Sequence, residues 1–156
     1  MALRLGLALA AGVVLVDQIV KWRVIGAFGA DPYGVEVLPF FNLVLVWNRG
    51  ISFGMFGGGT VPPWLLAVVA LGVTLALVIW LWRVETRLLA VAIGLVIGGA
   101  LGNVIDRLVY GAVADFLDVH WGDHHWPAFN LADAAISVGV VILLIDALLN
   151  SDERNK

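Results

Sequence analysis

"LLAVAIGLVIGGALGNVIDRL", Leu88–Leu108, is the segment of this chain from which its architecture can best be predicted. Its first eighteen residues carry no charge, and a helix needs about 20 mostly apolar residues to cross a bilayer. Gly94, Gly98 and Gly102 recur every four residues, a spacing that lets two membrane helices approach closely. An amide, a carboxylate and a guanidinium follow within Asn103–Arg107. The stretch therefore predicts a membrane helix with a closely packed glycine face and a polar end.

The composition of the whole chain is also typical of a membrane protein. Hydrophobic residues make up 62% of its 156 residues, and the mean hydropathy is +0.99, whereas soluble domains are about 45–50% apolar. The length suits a single domain, 1–156. The net charge of −3 comes without a basic patch, so we expect no nucleic-acid partner. The absence of cysteine excludes disulfides, thiol nucleophiles and cysteine-bound metals.

Apolar stretches of spanning length occur four times. We predict helices at about 5–22, 64–82, 88–108 and 131–149, with outer segments at about 24–63 and 109–128. The N-terminus imitates a signal peptide, but its apolar run continues to Val16 and predicts an uncleaved first span. β-Branched and aromatic residues in "VEVLPFFNLVLVWNRG" predict short strands in the first outer segment.

The orientation in the membrane follows from the Lys and Arg residues of short loops. An even number of spans places both termini on one side. That side holds Arg4, Arg83, Arg87, Arg154 and Lys156, and the other holds Lys21, Arg23, Arg49 and Arg107. Five against four weakly favours cytoplasmic termini. The preference strengthens if Lys21, Arg49 and Arg107 belong to a site.

Polar side chains gather at the non-cytoplasmic end of this predicted bundle. They are Asp17, Lys21, Asn48, Arg49, Asn103, Asp106, Arg107, Asp115, Asp118, Asn130 and Asp133. Because ionisable residues at membrane depth are costly, they are functional candidates by default. Asp115 and Asp133 have no cation within four residues, so local neutralisation explains them least.

Two neighbouring aspartates tend to share one proton because both cannot ionise cheaply. One can then accept a proton from water while the other donates to a carbonyl oxygen, which hydrolyses a peptide bond without a metal. The surrounding Asn and Arg side chains would orient the pair and hold substrate carbonyls.

Structural interpretations stay open for several of these residues. Asp106 with Arg107, and Asp17 with Lys21, fit simple ion pairs. Asn130 fits a helix N-cap. Asp118 fits a solvated loop residue, and Asp146 fits the cytoplasmic interface, away from the cluster.

Two further motifs are weaker. "GISFG" at Gly50–Gly54 matches the nucleophile elbow with Ser52, but that motif requires an α/β sheet. "HWGDHH" brings together His120, Asp123, His124 and His125, yet it lacks the i, i+4 histidine spacing of a helical zinc site. We therefore expect neither a serine nucleophile nor a metal.

Five segments in order resemble the bacterial lipoprotein signal peptidase family, signal peptidase II. They are "DQIVKW" from Asp17, "FFNLVLVWNRGISFG" from Phe40, "GNVIDR" from Gly102, "VADF" from Val113 and "FNLADAAI" from Phe129. The family often has "N-x-G-A-A-F" where this chain has Ile51 and Ser52 after "NRG", so we expect the local packing to differ there.

The resemblance implies an all-α membrane protein, a four transmembrane helix bundle with a small extracytoplasmic β-rich cradle and a mobile periplasmic segment within 24–63. It implies an aspartic endopeptidase without a cofactor that removes signal peptides from diacylglyceryl-modified prolipoproteins, cutting before the lipidated cysteine. Asp115 and Asp133 would be its catalytic dyad. The supporting positions would be Asp17, Lys21, Asn48, Gly50, Asn103, Asp106, Arg107, Asn130 and Ala132.

The resemblance also implies a place in the bacterial inner membrane, with the active site near the periplasmic face. Membrane lipid and globomycin-type cyclic peptide inhibitors would be its other partners. The main alternative is a proton-coupled transporter, which also uses intramembrane Asp and Arg. Against that alternative, the charges lie at one interface and form no path across the bilayer. A non-catalytic scaffold built on the glycine faces is the third possibility.

Overall fold

Four long helices and a small sheet form the part of the chain that the computed structural model describes, residues 1–29, 34–50 and 61–154. The helices are α1 (Ala2–Phe28), α2 (Pro63–Leu81), α3 (Arg87–Tyr110) and α4 (Leu131–Arg154). The strands are β1 (Val35–Leu38), β2 (Phe41–Asn48), β3 (Val113–Trp121) and β4 (His124–His125). Each helix contains a stretch long and apolar enough to cross a membrane. The predicted four-helix bundle with a small β-rich cradle is confirmed.

The central helix is α3, which packs against the other three. A Cβ atom on Gly94 would lie 2.5 Å from the carbonyl oxygen of Gly6, and one on Gly98 would lie 2.7 Å from that of Ala10. On the opposite side, a Cβ on Gly139 of α4 would lie 2.6 Å from the Ala92 oxygen. No side chain fits at such distances, so these glycines set the separation between backbones. The predicted role of the glycine face is confirmed.

The helices extend beyond the predicted apolar cores. Helix α1 continues to Phe28, past the expected end near Trp22, because Lys21 is buried and neutralised and does not mark the membrane boundary. Helix α3 starts where the Thr86 hydroxyl accepts a hydrogen bond from the Leu89 amide, which is N-capping. It ends at Gly111, whose φ of 71° is the left-handed conformation that favours glycine.

The sheet is antiparallel with the strand order β1-β2-β3-β4. The second outer segment, 109–128, contains β3, which lies beside β2 with Asn42 opposite Asp118 and Asn48 opposite Val113. Strands are predicted from the sequence only in the first outer segment. The β-branched and aromatic residues of "VADFLDVHW" are interrupted by two aspartates, which weakens the strand pattern.

The chain then turns and runs back beside β3 to the start of α4. We call residues 122–130 the return segment. Strand β4 of this segment pairs with β3, the Trp126 amide donates to Val119, and the Phe129 amide donates to Leu117. Phe129 also accepts from the amides of Phe116 and Leu117. The segment therefore delivers the first turn of α4 to the inner end of β3.

Candidate active site

An ion cluster of Asp17, Lys21 and Asp106 joins α1 to α3. The Lys21 ammonium lies 2.9 Å from Asp17 Oδ2 and 2.8 Å from Asp106 Oδ2. All three residues are at most 1% exposed, so one buried ammonium is shared by two buried carboxylates. The expected Asp17–Lys21 pair is confirmed as a contact, but it is one half of a larger cluster.

The open interpretation of Asp106 and Arg107 as an ion pair is not supported, because among the described residues the two form no salt bridge. Consecutive helical residues point about 100° apart, and Asp106 points towards α1, where Gln18 Nε2 donates to its Oδ1 at 2.9 Å. Asp106 Oδ2 also accepts from the backbone amide of Ala114 at 3.1 Å. Asp106 therefore ties the start of β3 to the ion cluster. Gln18, which also donates to the Gly102 carbonyl at 3.2 Å, was missed because a glutamine within an apolar run carries no specific sequence signal.

Arg107 holds the end of β2. Its Nη2 donates to the Gly50 carbonyl at 2.9 Å, and its Nη1 donates to the Asn103 carbonyl at 3.3 Å. The Gly50 amide in turn donates to Asn48 Oδ1 at 2.9 Å. The amide group of Asn48 is thereby aimed at β3.

Asp115 lies on β3 and is 1% exposed. Asn48 Nδ2 donates to its Oδ2 at 3.0 Å, and Asn130 Nδ2 donates to its Oδ1 at 2.7 Å. Among the described residues no lysine or arginine forms a salt bridge with it. Neutral amides, rather than cations, therefore hold both oxygens of this buried carboxylate.

Asp133 lies in the first turn of α4 and is also held by amides. Asn103 Nδ2 donates to its Oδ1 at 2.8 Å, and the Asn130 backbone amide lies 3.4 Å from its Oδ2. Asn130 Oδ1 accepts from the Asp133 amide at 2.9 Å, so the expected N-cap is confirmed. Because Asn130 Nδ2 also donates to Asp115, Asn130 caps the helix and holds Asp115 with its side chain, and it contacts the Asp133 carboxylate through its backbone amide.

The pKa of Asp115 is raised to about 7, first by burial and then by the negative charge of Asp133. Hydrogen bonds from Asn48 and Asn130 lower the pKa but do not offset these two effects. At neutral pH this carboxyl is therefore present in both protonated and ionised forms. An acid–base pair needs that availability of a proton.

Ala132 and Asn103 connect the aspartate pair to the ion cluster. The Ala132 amide donates to Asp17 Oδ1 at 3.0 Å, which fixes the start of α4 against α1. Asn103 Oδ1 accepts from Lys21 at 3.0 Å, while its Nδ2 donates to Asp133. The structure therefore brings all the predicted site residues, including Gly50 and Arg107, into one network.

The interpretation of Asp118 as a solvated loop residue was wrong. It is 8% exposed on β3, and it accepts from Asn42 Nδ2 at 2.9 Å and from His125 Nδ1 at 2.9 Å. Burial favours a higher pKa of Asp118, but the hydrogen bonds from Asn42 and His125 outweigh it and lower the pKa. His120 stacks on His125 with ring centroids 4.7 Å apart. Within the described ranges, no group of three or more His, Asp or Glu side chains is arranged to hold a metal ion.

Several other residues singled out from the sequence are not part of this network. Ile51 and Ser52 lie within 51–60, outside the described residues, and so does part of the expected mobile segment. Asp146 lies thirteen residues beyond Asp133 on α4, about 20 Å along the helix axis. Asp146 is therefore separate from the cluster, as expected.

An apolar groove of about 590 Å³ opens beside Asp133. It follows one face of α4 and reaches the return segment. Its lining includes Trp126, Phe129, Asp133, Ile136, Ser137 and Val141. The groove places a carboxylate at one end of a surface suited to hydrocarbon.

The fold and this network define a class: an integral membrane protein in which aspartate and asparagine side chains form a hydrogen-bonded network between the helices and the sheet. Residues 9–149 match the family described as signal peptidase (SPase) II. The chain belongs to that family, which is a family of aspartic peptidases.

Sequence relatives and solved structures support the same family assignment. The chain is 46% identical over 149 residues to the lipoprotein signal peptidase of Methylorubrum extorquens (strain PA1), covering 94% of this chain and 87% of that one. It is 48% identical over 140 residues to that of Burkholderia thailandensis, covering 87% and 82%. A solved bacterial membrane enzyme structure is similar at a TM-score of 0.83 and 30% identity, covering 95% and 90%. A second reaches a TM-score of 0.79 at 30% identity, covering 92% of each chain. The chain is thus a multi-pass bacterial membrane peptidase, and the transporter alternative finds no support.

Proposed function

We propose that this chain cleaves diacylglyceryl-modified prolipoproteins just before the lipidated cysteine, with Asp115 and Asp133 as the catalytic dyad. The observation that carries the proposal is that neutral amides hold both carboxylates, with Asn130 contacting Asp115 through its side chain and Asp133 through its backbone amide. Such a pair keeps one proton available, whereas carboxylates bonded to a lysine ammonium do not. The whole chain, 1–156, acts as one peptidase domain in this proposal.

The reaction requires one ionised and one protonated aspartate. The ionised carboxylate takes a proton from water as the water oxygen attacks the carbonyl carbon, and the protonated carboxyl gives its proton to the carbonyl oxygen. The tetrahedral intermediate collapses when the first aspartate passes its new proton to the amide nitrogen and the C–N bond breaks. The second aspartate recovers its proton from the hydroxyl. Water adds across the peptide bond, no covalent enzyme intermediate forms, and no cofactor takes part.

The supporting residues divide by what they hold. Asn48, Asn103 and Asn130 orient the two carboxylates. Gly50 and Arg107 fix Asn48, and Ala132 fixes the start of α4 through Asp17. Lys21 and Asp106 form the rest of the ion cluster with Asp17. In this proposal none of these six residues exchanges a proton with substrate.

The apolar groove beside Asp133 supports a lipid-modified substrate. Its sides are formed by Ile136, Val138 and Val141 of a predicted spanning segment, so hydrocarbon can reach it from within the bilayer. A diacylglyceryl chain or an apolar signal helix in the groove would bring the adjoining peptide bond to the dyad. Globomycin-type cyclic peptides would bind in the same place and compete with the substrate.

The proposed orientation has both termini in the cytoplasm and the dyad near the periplasmic face of the inner membrane. Lys21 is buried in the ion cluster and Arg107 is bonded to Gly50, so neither acts as a free loop charge. Omitting these two leaves Arg23 and Arg49 opposite five terminal-side charges, a stronger bias towards cytoplasmic termini. A reporter fused after Lys156 should be active only if it is a cytoplasmic type.

The deciding experiment is single-turnover cleavage by the purified chain of a lipobox peptide carrying diacylglyceryl cysteine, beside the same peptide without lipid. We expect one cut, before the cysteine, in the lipidated peptide only. Asp115→Asn and Asp133→Asn should bind the lipidated peptide without cutting it. Equal cleavage of both peptides would overturn the substrate assignment, and turnover in either variant would overturn the dyad.

A further inference from the structure

Asp115 and Asp118 are each held from both sides of β3 by the neighbouring strand and the return segment. Asn48 of β2 and Asn130 of the return segment donate to Asp115, and we call these three residues the inner rung. Asn42 of β2 and His125 of the return segment donate to Asp118, and we call these three the outer rung. The proposed mechanism uses the inner rung, and nothing in it uses the outer rung.

The backbone ladder between the return segment and β3 is short and interrupted, with bonds at β4, Trp126 and Phe129. Strand β4 has only two residues, and Pro127 has no amide hydrogen to donate. The pairings His120 with His125 and Leu117 with Phe129 enclose three steps on β3 but four on the return segment. One extra residue therefore bulges out, which interrupts the ladder.

We propose that Asp118 and His125 are positioning residues for the dyad: their hydrogen bond fixes the register of the return segment and thereby holds Asn130 against Asp115. The inference rests on the proposed function, because it assumes that Asp115 exchanges a proton.

The outer rung acts on the dyad through a short, direct path. Only Trp126–Phe129 separate His125 from Asn130. Asn130 contacts Asp115 through its side-chain nitrogen and caps α4 at Asp133 through its side-chain oxygen. A shift of the bulged segment would therefore move Asn130, which touches Asp115 through its side chain and Asp133 through its backbone amide. The backbone bonds at Phe129 limit this movement, so we expect a change in alignment rather than unfolding.

Asp118 remains a good acceptor throughout the neutral range because its pKa is lowered. His125 Nδ1 lies 2.9 Å from both oxygens of Asp118, and it can donate as neutral imidazole or as imidazolium. The outer rung is therefore present at the working pH in either protonation state. His120 is the other titratable group stacked against it.

The test compares substitutions at His125, whose half-exposed side chain can be changed without opening a buried cavity. His125→Ala removes the donor. His125→Asn keeps a nitrogen donor close to the Nδ1 position, whereas His125→Gln moves it one bond further out. His124→Ala is the matched control, since His124 is the exposed neighbour on the same short strand. Each variant is assayed with the lipidated lipobox peptide from about pH 5 to 9, beside a thermal melt.

We expect His125→Ala to lower kcat about tenfold with little change in KM, as a small misplacement of catalytic groups does. The kinetic pKa associated with Asp115 should also fall, because looser packing admits water and weakens the effect of Asp133. Lys21 and Arg107 are the cations that act on this carboxyl, and both are retained. His125→Asn should restore much of both properties, and His124→Ala should match the unchanged chain.

Unchanged kcat and pH profile in His125→Ala, with Asp115→Asn inactive, would refute the positioning role and leave the proposed function intact. A raised KM with normal kcat would also refute it, because His125 would then be contacting substrate. Turnover in Asp115→Asn would instead refute the proposed function itself. If His125→Ala does not fold, equal activity of His125→Asn and His125→Gln would overturn the inference, and a preference for asparagine would support it.

Discussion

The two groups of carboxylates on either side of Asn103 have the same residue type but opposite electrostatic settings. On one side, Asp17 and Asp106 share the ammonium of Lys21. On the other, Asp115 and Asp133 receive hydrogen bonds from asparagine amides. Asn103 touches both groups, accepting from Lys21 and donating to Asp133.

The surroundings of a carboxylate therefore determine which of two purposes the same residue type serves in this membrane protein. A buried carboxylate next to a cation forms an ion pair that ties helices together. A buried carboxylate held by neutral donors, next to another carboxylate, gains access to its protonated form. The raised pKa of Asp115, caused by burial and by Asp133, is the physical sign of that second setting.

The largest expected effect comes from removing the exchangeable proton of the pair. Asp115→Asn and Asp133→Asn should each lower cleavage by at least about 10²–10⁴-fold while the melting temperature stays within a few degrees. The double variant should be scarcely worse than either single one, because the two residues act as a unit. Single-turnover assays and melts on the same detergent preparations check this. Multiplicative losses would contradict a shared-proton pair.

Substitutions in the ion cluster should have the opposite effect, because they should lower the stability of the protein before they affect the chemistry at the dyad. Lys21→Met leaves two buried carboxylates without their cation, and removing one partner of a buried pair costs about 3–5 kcal/mol. Asp106→Asn is the milder matched change, since Lys21 keeps Asp17. Thermal melts should rank Lys21→Met below Asp106→Asn, and both below the unchanged chain. A stable but inactive Asp106→Asn would move that residue into the catalytic group.

A substitution without any charge change should perturb the cluster less. A Cβ on Gly102 would lie 2.6 Å from Asp17 Oδ2, so Gly102→Ala should push that carboxylate off Lys21 and cost about 1–3 kcal/mol. Gly72→Ala is the control, because a Cβ there meets nothing within 4 Å. It carries the same gain in helix propensity. Equal melting temperatures for the two variants would show that the cluster tolerates the shift.

The smallest effects should be opposite pH dependences of stability at Asp115 and Asp118. The pKa of Asp115 is raised to about 7, so its stabilising contribution is present below the ordinary value of about 4 and is lost as pH rises through about 7. The pKa of Asp118 is lowered, so its contribution is present above the ordinary value and is lost as pH falls below it.

Melts from about pH 3 to 8 test these signs. The melting temperature of Asp115→Asn relative to the unchanged chain should rise as pH increases between about 4 and 7. That of Asp118→Asn should instead fall relative to the unchanged chain as pH leaves the acid range. The same sign for both variants would contradict the contrast between the two carboxylates.

Much of the architecture could be predicted because it depends on local pattern. The length of an apolar run determines whether a helix can cross a bilayer, and the spacing of Gly94 and Gly98 already indicates a close helix contact. The absence of a nearby cation around Asp115 and Asp133 likewise singled out that pair. These properties depend on residues that are close together in the chain, so they could be predicted from the sequence alone.

The contacts between residues that are distant in the sequence became apparent only from the folded structure. Asp106 has Arg107 as its neighbour in sequence, yet it pairs with Lys21 because helix geometry turns consecutive side chains apart and the glycine face brings α1 close. Asp118 looked like a loop residue, but strand pairing buries it between Asn42 and His125. Such contacts depend on register and helix rotation, which arise when the whole core packs, and no local run of residues specifies them.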